Sequence, residues 1–525
     1  MTPLAVRRAL EAAVSLHRAG RLQAAEAAYR DILARAPDHP DALHLLGVVA
    51  AQAGDADRAV DLIRRAIAGQ PGNAEFHANL ALALRKATRL DEAVAAYRRA
   101  ADLAPDRPEA WVSLGKACLD CGELEPAVAA FQRALALRPA YGEAANNLGV
   151  TYTRRGDLGE ALRAYERALE LDPRHVTTRS NLAATLYNLG RLDEAIAMAR
   201  RALELDGECA EAHLTLGASL LISGRLAEGW PEYEWRWRCP GLQSPSPYPQ
   251  PAWDGSDPAG RSILLCSEQG LGDTIQFVRY APLVAARGAR VVLGCRPALK
   301  TLLQTVGGIE QVVADGERLP PVDLQAPLMS VPRLLGTTLE SIPARVPYLA
   351  ADPRRRDVWR ARLSLGPRSL KVGLVWAGQP QNRTDRWRSI PLRVLAPLGA
   401  VAGVGFVSLQ GGAAARQAVE SPFPLVDHDA ELHDFADIAA LVANLDLVIS
   451  VDTAGAHLAG ALGRPVWTLL PSAPDWRWLL EREDTPWYPT MRLFRQTKAG
   501  DWAEVVARVA AALRREVGRT AARSG

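Results

Sequence analysis

The sequence predicts an α-helical superhelix followed by an α/β region of two lobes, each built on a parallel sheet. Two observations support this fold class. The first 240 residues repeat with a period of 34 residues, and residues 241–525 alternate short apolar runs with helical segments. The chain has 525 residues. Because a single core usually stops growing at roughly 250 to 300 residues, several domains are expected.

The composition excludes several classes of protein. Apolar residues make up 48% and charged residues 23% of the chain, as in folded globular proteins. The formal charge of +3 is small for this length and argues against nucleic-acid binding. A single C-x-x-C, at Cys118 and Cys121, lacks the second pair of a zinc site. No apolar run is long enough to span a membrane, and Arg7, Arg8 and Glu11 interrupt the N-terminal segment, unlike a secretory signal. We therefore expect a cytoplasmic protein.

The repeats define the first domain, residues 1–240. Similar segments begin at positions 41, 75, 109, 143, 177 and 211. They share a small residue where paired helices approach, at Gly47, Ala81, Gly115, Gly149, Ala183 and Gly217. A proline follows the second helix in four of them, at Pro71, Pro105, Pro139 and Pro173. This pattern resembles the tetratricopeptide repeat, which implies about seven helix pairs around a concave groove. Such a groove binds peptides or proteins, or the array is only a spacer.

Asn79, Asn147 and Asn181 occupy the same place in three repeats. Amides repeated along a concave face can hydrogen-bond an extended peptide without selecting its sequence. The arrangement resembles the asparagine ladder of the O-linked N-acetylglucosamine transferases, so these residues are candidate acceptor-binding residues. The alternative is that they only satisfy neighbouring helix ends.

Aromatic residues crowd the end of the array, at Trp230, Tyr233, Trp235 and Trp237. A stripe of this kind is typical of packing between domains, so the last helix is expected to dock on the α/β region. A linker rich in proline and serine is predicted at 241–262.

Residues 263–350 and 371–525 are expected to form two Rossmann-like lobes joined by a hinge at 351–370. Apolar runs predict strands in "RSILLCSE", "ARVVLGC" and "PVDLQAP" of the first lobe, and in "LKVGLVWAG", "VGFVSLQGG", "LDLVISVD" and "RPVWTLL" of the second. Parallel sheets of this kind bind ligands beyond the carboxyl ends of their strands, so the segments directly after the strands are the candidate site.

The segment "EQGLGDTIQFVRY" places Gly270, Gly272 and Asp273 between a strand and a helix. It lacks the third glycine of a dinucleotide-binding fingerprint and the lysine of a P-loop. Asp273 either caps the helix or accepts a proton from an attacking hydroxyl.

The segment "ISVDTAGAHLAGALGRP" ends a strand in an acid and opens a helix with small residues. The free N–H groups and the positive dipole end of such a helix attract anions. The candidate anion-binding residues are Asp452, Thr453, Ala454, Gly455, Ala456 and His457. The histidine binds the anion or has only a structural role. Gln410 comes after another strand and either touches the ligand or lies in a plain turn.

At these two segments the chain resembles the heptosyltransferase group of glycosyltransferases. The resemblance implies a GT-B arrangement, a nucleotide-sugar donor held mainly by the C-terminal lobe, inversion at the anomeric carbon, and no metal or other cofactor. It also implies that Asp273 is the catalytic base and that Arg388, in "DRWRSIPL", is a cation beside the leaving phosphate. Ala454 departs from the pattern, since that group has glycine there.

We therefore expect a metal-independent inverting glycosyltransferase whose groove captures a protein acceptor. Bacterial flagellin glycosyltransferases are similar in plan, so flagellin is the specific acceptor expected. Two alternatives stay open: an enzyme acting on a cell-surface glycan, and a non-catalytic scaffold with a degenerate transferase module. ADP-heptose, a UDP-hexosamine and a CMP-linked nonulosonic acid are all candidate donors. Deleting residues 1–240 is expected to abolish protein modification but to spare donor hydrolysis.

Overall fold

The computed structural model describes residues 3–239, 248–363, 365, 370–382 and 385–524. By its internal contacts the chain divides into two compact units, Met1–Leu186 and Tyr187–Gly525. The predicted fold class, a helical repeat array followed by an α/β region with two parallel sheets, is confirmed.

The first unit consists of helices that pack in successive pairs. They are α1 Pro3–Arg18, α2 Leu22–Arg35, α3 Pro40–Gln52, α4 Ala56–Gly69, α5 Ala74–Lys86, α6 Leu90–Leu103, α7 Pro108–Asp120, α8 Leu124–Leu137, α9 Gly142–Arg155, α10 Leu158–Leu171 and α11 Val176–Asn188, the last of which crosses the division between the units.

Small residues set the distance between the helices of a pair, as the sequence predicted. A Cβ added to Gly149 would lie 2.6 Å from the ring of Tyr165, and one added to Gly115 would lie 2.7 Å from the ring of Phe131. The rings fill the space that the missing side chains leave. Replacing either glycine would therefore force the paired helices apart.

The second unit begins with the last repeat helices. These are α12 Leu192–Leu205, α13 Ala210–Ile222 and α14 Leu226–Tyr233, followed by a 3₁₀ turn at Glu234–Arg238. Lobe 1 then contains β1 Ser262–Cys266, α15 Leu271–Phe277, α16 Ala281–Ala286, β2 Arg290–Cys295, α17 Lys300–Leu303, β3 Ile309–Ala314, β4 Leu324–Pro327 and α18 Val331–Leu334.

Lobe 2 comes next along the chain. Its elements are α19 Pro353–Arg362, β5 Leu370–Val375, α20 Asp385–Arg388, α21 Ala396–Gly399, β6 Val404–Ser408, β7 Leu425–Val426, α22 Phe435–Val442, β8 Leu447–Val451, α23 Ala454–Ala461, β9 Val466–Leu470, β10 Met491–Arg495 and α24 Trp502–Ser524. The last helix, α24, packs on the sheet of lobe 2 through Val505, Val509 and Leu513.

Both sheets are parallel and have Rossmann-type strand orders. The four strands of lobe 1 lie in the order β3-β2-β1-β4, and the six of lobe 2 in the order β10-β9-β8-β5-β6-β7. The strand order reverses between β1 and β4 in one sheet and between β5 and β8 in the other. Ligand crevices of such sheets open at these reversal points, beyond the carboxyl ends of the strands.

The structure adds three strands that the apolar runs did not predict, β3, β7 and β10. Both predicted connectors, the linker at 241–262 and the hinge at 351–370, contain ordered elements or buried side chains. The end of the 241–262 linker lies along lobe 1, where Ala252 forms a bridge with Gln325 and Trp253 is buried. Residues 240–247 lie outside the described part. The predicted hinge carries α19, whose Trp359 is buried.

The last repeat helices share one apolar core with both lobes. Leu221 and Trp230 of these helices belong to the same buried cluster as Ile263 of β1 and Leu458 of α23. The indole N–H of Trp230 donates to the carbonyl of Thr337 at 2.9 Å. This confirms that the end of the array docks on the α/β region. A cut at residue 240 would therefore remove side chains from this shared core.

Candidate functional site

The two sequence motifs meet where lobe 1 faces lobe 2. The loop after β1 leads into α15, and the loop after β8 leads into α23. A Cβ added to Gly272 would lie 3.0 Å from His457 Cδ2 and 3.4 Å from the Cα of Ala454. The starts of α15 and α23 are therefore in van der Waals contact. Gly272 is needed because any side chain there would push the two helices apart.

The loop after β8 has the backbone expected of an anion site. Thr453 is the N-cap of α23 in an extended conformation, with φ −146° and ψ 175°. The N–H groups of Ala456 and His457 donate to the Thr453 carbonyl at 3.1 and 3.4 Å. The preceding N–H groups, of Ala454 and Gly455, begin the helix and have no acceptor within it. These two donors are the groups that an anion would meet.

Gly455 has a packing role at this site. A Cβ added there would lie 2.9 Å from Cγ2 of Val375, at the end of β5. The residue therefore allows α23 to start close to the neighbouring strand. The prediction that residues 452–457 bind the donor stays a prediction, and this contact explains the glycine without a ligand.

Asp273 has two partners, one from each lobe. Its Oδ2 accepts the Gly270 N–H at 2.7 Å, which caps α15. The N–H of Gly270 is therefore already bonded within the protein. Asp273 Oδ1 accepts from Nη2 of Arg477, which comes after β9 in lobe 2. The carboxylate is 18% exposed. Asp273 is therefore a helix cap and also an interlobe contact with part of its surface open.

Arg477 is the main site residue that sequence reasoning missed. Its Nε donates to Gln276 Oε1 and its Nη1 to Asp475 Oδ1, both at 2.7 Å. Burial opposes its charge, but the carboxylates of Asp475 and Asp273 raise the pKa of Arg477 above its ordinary value. The only signal in the sequence is an arginine between two tryptophans, and this pattern does not reveal its partner 204 residues away.

Arg388 lies at the other side of the crevice. Its Nε donates to Asp385 Oδ1 at 3.3 Å, and its side chain is 20% exposed. A Cβ added to Gly378, in the loop after β5, would lie 2.8 Å from its Nη2. Its charge lowers the pKa of Asp452, which places it near the end of β8. The structure therefore brings the predicted cation to the crevice beside the predicted anion site.

Gln410 braces the loop after β5. Its Oε1 accepts the N–H groups of Trp376 and Ala377 at 3.0 and 2.9 Å. Its Nε2 donates to the carbonyls of Ala377 and Gly411, both at 3.0 Å. Both amide donors are used, so this geometry favours the turn interpretation over contact with a nucleotide.

His457 is buried against lobe 2 and does not face open space. Its Nδ1 lies 2.9 Å from the hydroxyl of Tyr488, and its ring stacks on Trp478 with 5.3 Å between centroids. Burial, helped by the charges of Arg477 and other arginines, lowers its pKa well below the usual value. The structural role of this histidine is therefore favoured, and the ring is neutral near pH 7.

Asp452 is the acid whose protonation the site perturbs most clearly. Burial raises its pKa to about 6, and the nearby carboxylate of Asp475 adds to this rise. The charges of Arg388 and Arg477 act in the opposite direction. A buried acid with such a pKa in a cleft is typical of a functional site.

Replacing Asp452 with Asn is expected to stabilise the protein near neutral pH by on the order of 2 kcal/mol. The native pKa lies above the unfolded value of 3.8. The penalty for ionising this buried acid therefore appears as the pH rises from about 4 to about 6 and persists above it. Thermal melts of both proteins at several pH values should diverge above about pH 4. A difference of equal size at all pH values would show that titration of Asp452 is not its cause.

The three candidate asparagines lie in the helical array of the first unit. The amide of Asn79 lies 2.8 Å from Nε2 of His44, and that of Asn181 donates to Asn146 Oδ1 at 3.3 Å. Both bonds reach 35 residues back, into the preceding repeat. Asn79 and Asn181 therefore connect neighbouring repeats. The prediction that the three asparagines bind an acceptor stays a prediction.

Neither a metal cluster nor a membrane-spanning helix occurs within the described ranges. No group of three or more His, Cys, Asp or Glu side chains there could hold a metal ion. No helix among those residues has the length and apolar character needed to cross a bilayer.

Comparison with known families finds matches in both halves of the chain. Tetratricopeptide repeat profiles match residues 10–74, 78–141, 110–174 and 142–208. The profile of glycosyltransferase family 9 (heptosyltransferase) matches residues 431–496, which include α23 and Arg477. The chain combines tetratricopeptide repeats with a glycosyltransferase family 9 domain.

The chain is similar to Protein FlbA of Caulobacter vibrioides (strain ATCC 19089 / CIP 103742 / CB 15). The two are 32% identical over 317 residues, which cover 55% of this chain and 52% of FlbA. The chain thus spans about half the length of this curated relative.

The solved structures that are similar to parts of the chain include the following two. The crystal structure of MamA is 26% identical, covers 32% of this chain and 97% of MamA, and has a TM-score of 0.30. The crystal structure of YrrB, a TPR protein with an unusual peptide-binding site, is 24% identical, covers 33% of this chain and 90% of YrrB, and has a TM-score of 0.29.

Proposed function

We propose that the protein transfers a sugar from a nucleotide-sugar donor to a protein acceptor held by the helical repeats. The supporting observation is the contact between the starts of α15 and α23. This contact places a carboxylate on lobe 1, Asp273, beside the start of α23 and Arg477 on lobe 2. Arg388, whose charge acts on Asp452, lies near the end of β8 that leads into α23. A proton acceptor opposite a cationic anion site is the arrangement that glycosyl transfer from a nucleotide requires.

In this proposal the leaving phosphate lies on the first N–H groups of α23, with Arg388 beside it. A hydroxyl oxygen of the acceptor attacks the anomeric carbon from the face opposite the phosphate. The bond from the anomeric carbon to the phosphate oxygen breaks, and its electron pair leaves with the nucleotide. The hydroxyl proton passes to the carboxylate of Asp273. A single displacement of this kind inverts the anomeric centre, and the helix amides and Arg388 supply the positive charge without a metal ion.

The acceptor in this proposal is a protein, and flagellin is the specific candidate. Tetratricopeptide repeats are protein-interaction modules, which supports a protein acceptor. Asn79, Asn147 and Asn181 would hold an extended segment of it. A carboxamide has two donors and an oxygen with two lone pairs, so one bond to a neighbouring repeat leaves further positions for a peptide.

The donor half of the proposal is tested by thermal melts of the full chain with ADP, UDP, CMP, ADP-heptose, UDP-N-acetylglucosamine and a CMP-linked nonulosonic acid. A donor at about 100 times its dissociation constant should add about 2.7 kcal/mol to the free energy of unfolding. Arg388→Met should lose most of this shift. If no member of the panel raises the melting temperature, the chain does not bind these donors and the scaffold alternative is favoured.

The acceptor half is tested by replacing Asn79, Asn147 and Asn181 together with Ala. The variant should keep the donor-induced shift and lose transfer of sugar to flagellin. If the asparagines only connect repeats, the melting temperature falls while transfer to flagellin stays at the parent's rate. Transfer to a lipid-linked glycan but not to flagellin, by the unmodified chain, would favour the cell-surface alternative.

A further inference from the structure

A buried arginine connects the end of the repeat array to the loop that carries Asp273. Arg236 lies in the 3₁₀ turn Glu234–Arg238, directly after α14, and is 1% exposed. Its Nε and Nη2 donate to the two carboxylate oxygens of Glu268 at 3.0 and 3.1 Å. Its Nη1 donates to Glu234 at 2.6 Å, and its Nη2 also donates to Ser330 Oγ at 2.8 Å. The guanidinium is therefore held from several sides.

Glu268 lies at the start of the loop that leads from β1 to α15. Its Oε1 also accepts the Met329 N–H at 2.9 Å, and the side chain is buried. The next residue, Gln269, has φ 55°, a left-handed conformation that is unusual for a residue with a side chain. Such a conformation persists only when its surroundings hold it. The paired Glu268 is one of those surroundings, five residues before Asp273.

A second set of contacts from the repeat helices reaches the other partner of Asp273. Trp230 and Tyr233 of α14 pack on Trp476, with ring centroids 5.4 and 5.6 Å apart. Trp476 precedes Arg477, the residue that donates to Asp273. Tyr187, at the end of α11, lies near the same arginine, and burial and the Asp475 carboxylate raise its pKa. Both the loop and the arginine that hold Asp273 thus rest on repeat helices.

We propose that Arg236 is a positioning residue for the carboxylate of Asp273, so that the end of the repeat array is part of the active-site scaffold. The inference rests on the proposed function, because it takes Asp273 as the proton acceptor. A buried ion pair is weak evidence of stabilisation, since apolar residues of similar volume often replace one without loss. An apolar pair could not supply the bidentate ion pair that orients Glu268 at the start of the loop.

The test compares Arg236→Met with the double variant Arg236→Met/Glu268→Met in the full chain. The single variant leaves a buried carboxylate unpaired and should melt at a lower temperature. The double variant removes that carboxylate and should melt near the parent's temperature. If Arg236 positions Asp273, kcat falls about 10- to 100-fold in both variants while KM for the donor changes little. Arg236→Lys keeps the charge but cannot form the bidentate contact with Glu268, so its kcat should also stay below the parent's.

Turnover is measured as release of UDP from UDP-N-acetylglucosamine, of ADP from ADP-heptose or of CMP from the CMP-linked nonulosonic acid, whichever of these donors raises the melting temperature. Arg355→Met is the matched control, since Arg355 also bonds two carboxylates, Asp434 and Asp437, at 2.8 and 2.9 Å but lies on α19. It should keep the parent's kcat. A double variant that recovers kcat together with its melting temperature would overturn the positioning role.

Hydrogen exchange separates this inference from the proposed function. In Arg236→Met and in the double variant, amides of residues 270–277 should exchange at least about tenfold faster, and those of α23 should not change. Unchanged exchange in 270–277 would also overturn the inference. If Asp273→Asn keeps the parent's kcat, the proposed role of Asp273 fails whatever the Arg236 variants do.

Discussion

A chain that begins at residue 240 is expected not to fold, whereas a chain that begins at residue 176 is expected to melt cooperatively. The reason is that the two compact units divide between Leu186 and Tyr187. The last repeat helices, α12 to α14, come after this point and belong to the second unit. A start at 176 keeps α11 to α14 whole. A start at 240 removes Leu221, Trp230 and other side chains from the core that they share with both lobes.

The expected loss is large compared with the stability of an ordinary domain. Deleting one large buried side chain typically costs about 3 to 5 kcal/mol, and whole domains are stable by only about 5 to 15 kcal/mol. Removing α13 and α14 deletes several such side chains together. It also leaves Glu268 buried without Arg236, which adds the penalty of an unpaired charge.

Circular dichroism melts of the two fragments decide this prediction. The fragment 176–525 should show one cooperative transition and keep the donor-induced shift, while transfer to flagellin is lost with the array. The fragment 240–525 should lack that transition and bind a dye specific for exposed apolar surface. A cooperative melt of 240–525 near the parent's temperature would show that the repeat helices are not part of the lobe's core.

Replacing Asp273 with Asn is expected to lower kcat by about 10²- to 10⁴-fold, the usual contribution of a general base. Asn retains an oxygen that can accept the Gly270 N–H, so the cap of α15 should survive. Donor-induced stabilisation should also survive, because the helix start at α23 and Arg388 are unchanged. The loss should therefore appear in turnover and leave binding of the nucleotide intact.

The matched control is Asp475→Asn. Asp475 also accepts from Arg477, at 2.7 Å, so both variants take one acid from the same arginine. Steady-state release of nucleotide and transfer to flagellin should fall far less in the control. Equal losses in the two variants would mean that the ion pairs of Arg477, and not a proton acceptor at Asp273, account for the effect.

Much of the fold could be predicted from short-range patterns in the sequence. The 34-residue period and its small residues depend on contacts between adjacent helices, which lie close in the sequence. Seven strands were predicted because each is a short run dominated by apolar residues, and β1, β8 and β9 are buried along their whole length. The three missed strands are different: β10, "MRLFR", alternates arginines with apolar residues, β3 begins with exposed residues, and β7 has two residues. All three lie at or next to a sheet edge, where full burial is not required.

The sequence by itself determined which loops hold the candidate chemistry, because in a parallel sheet the carboxyl ends of the strands define one edge. Only the tertiary structure decided what surrounds them. It brought Arg477 to Asp273 across 204 residues and Arg236 to Glu268 across 32. It also assigned the last repeat helices to the core of the α/β region. Contacts of this kind depend on how whole elements pack, and no local period or spacing carries that information.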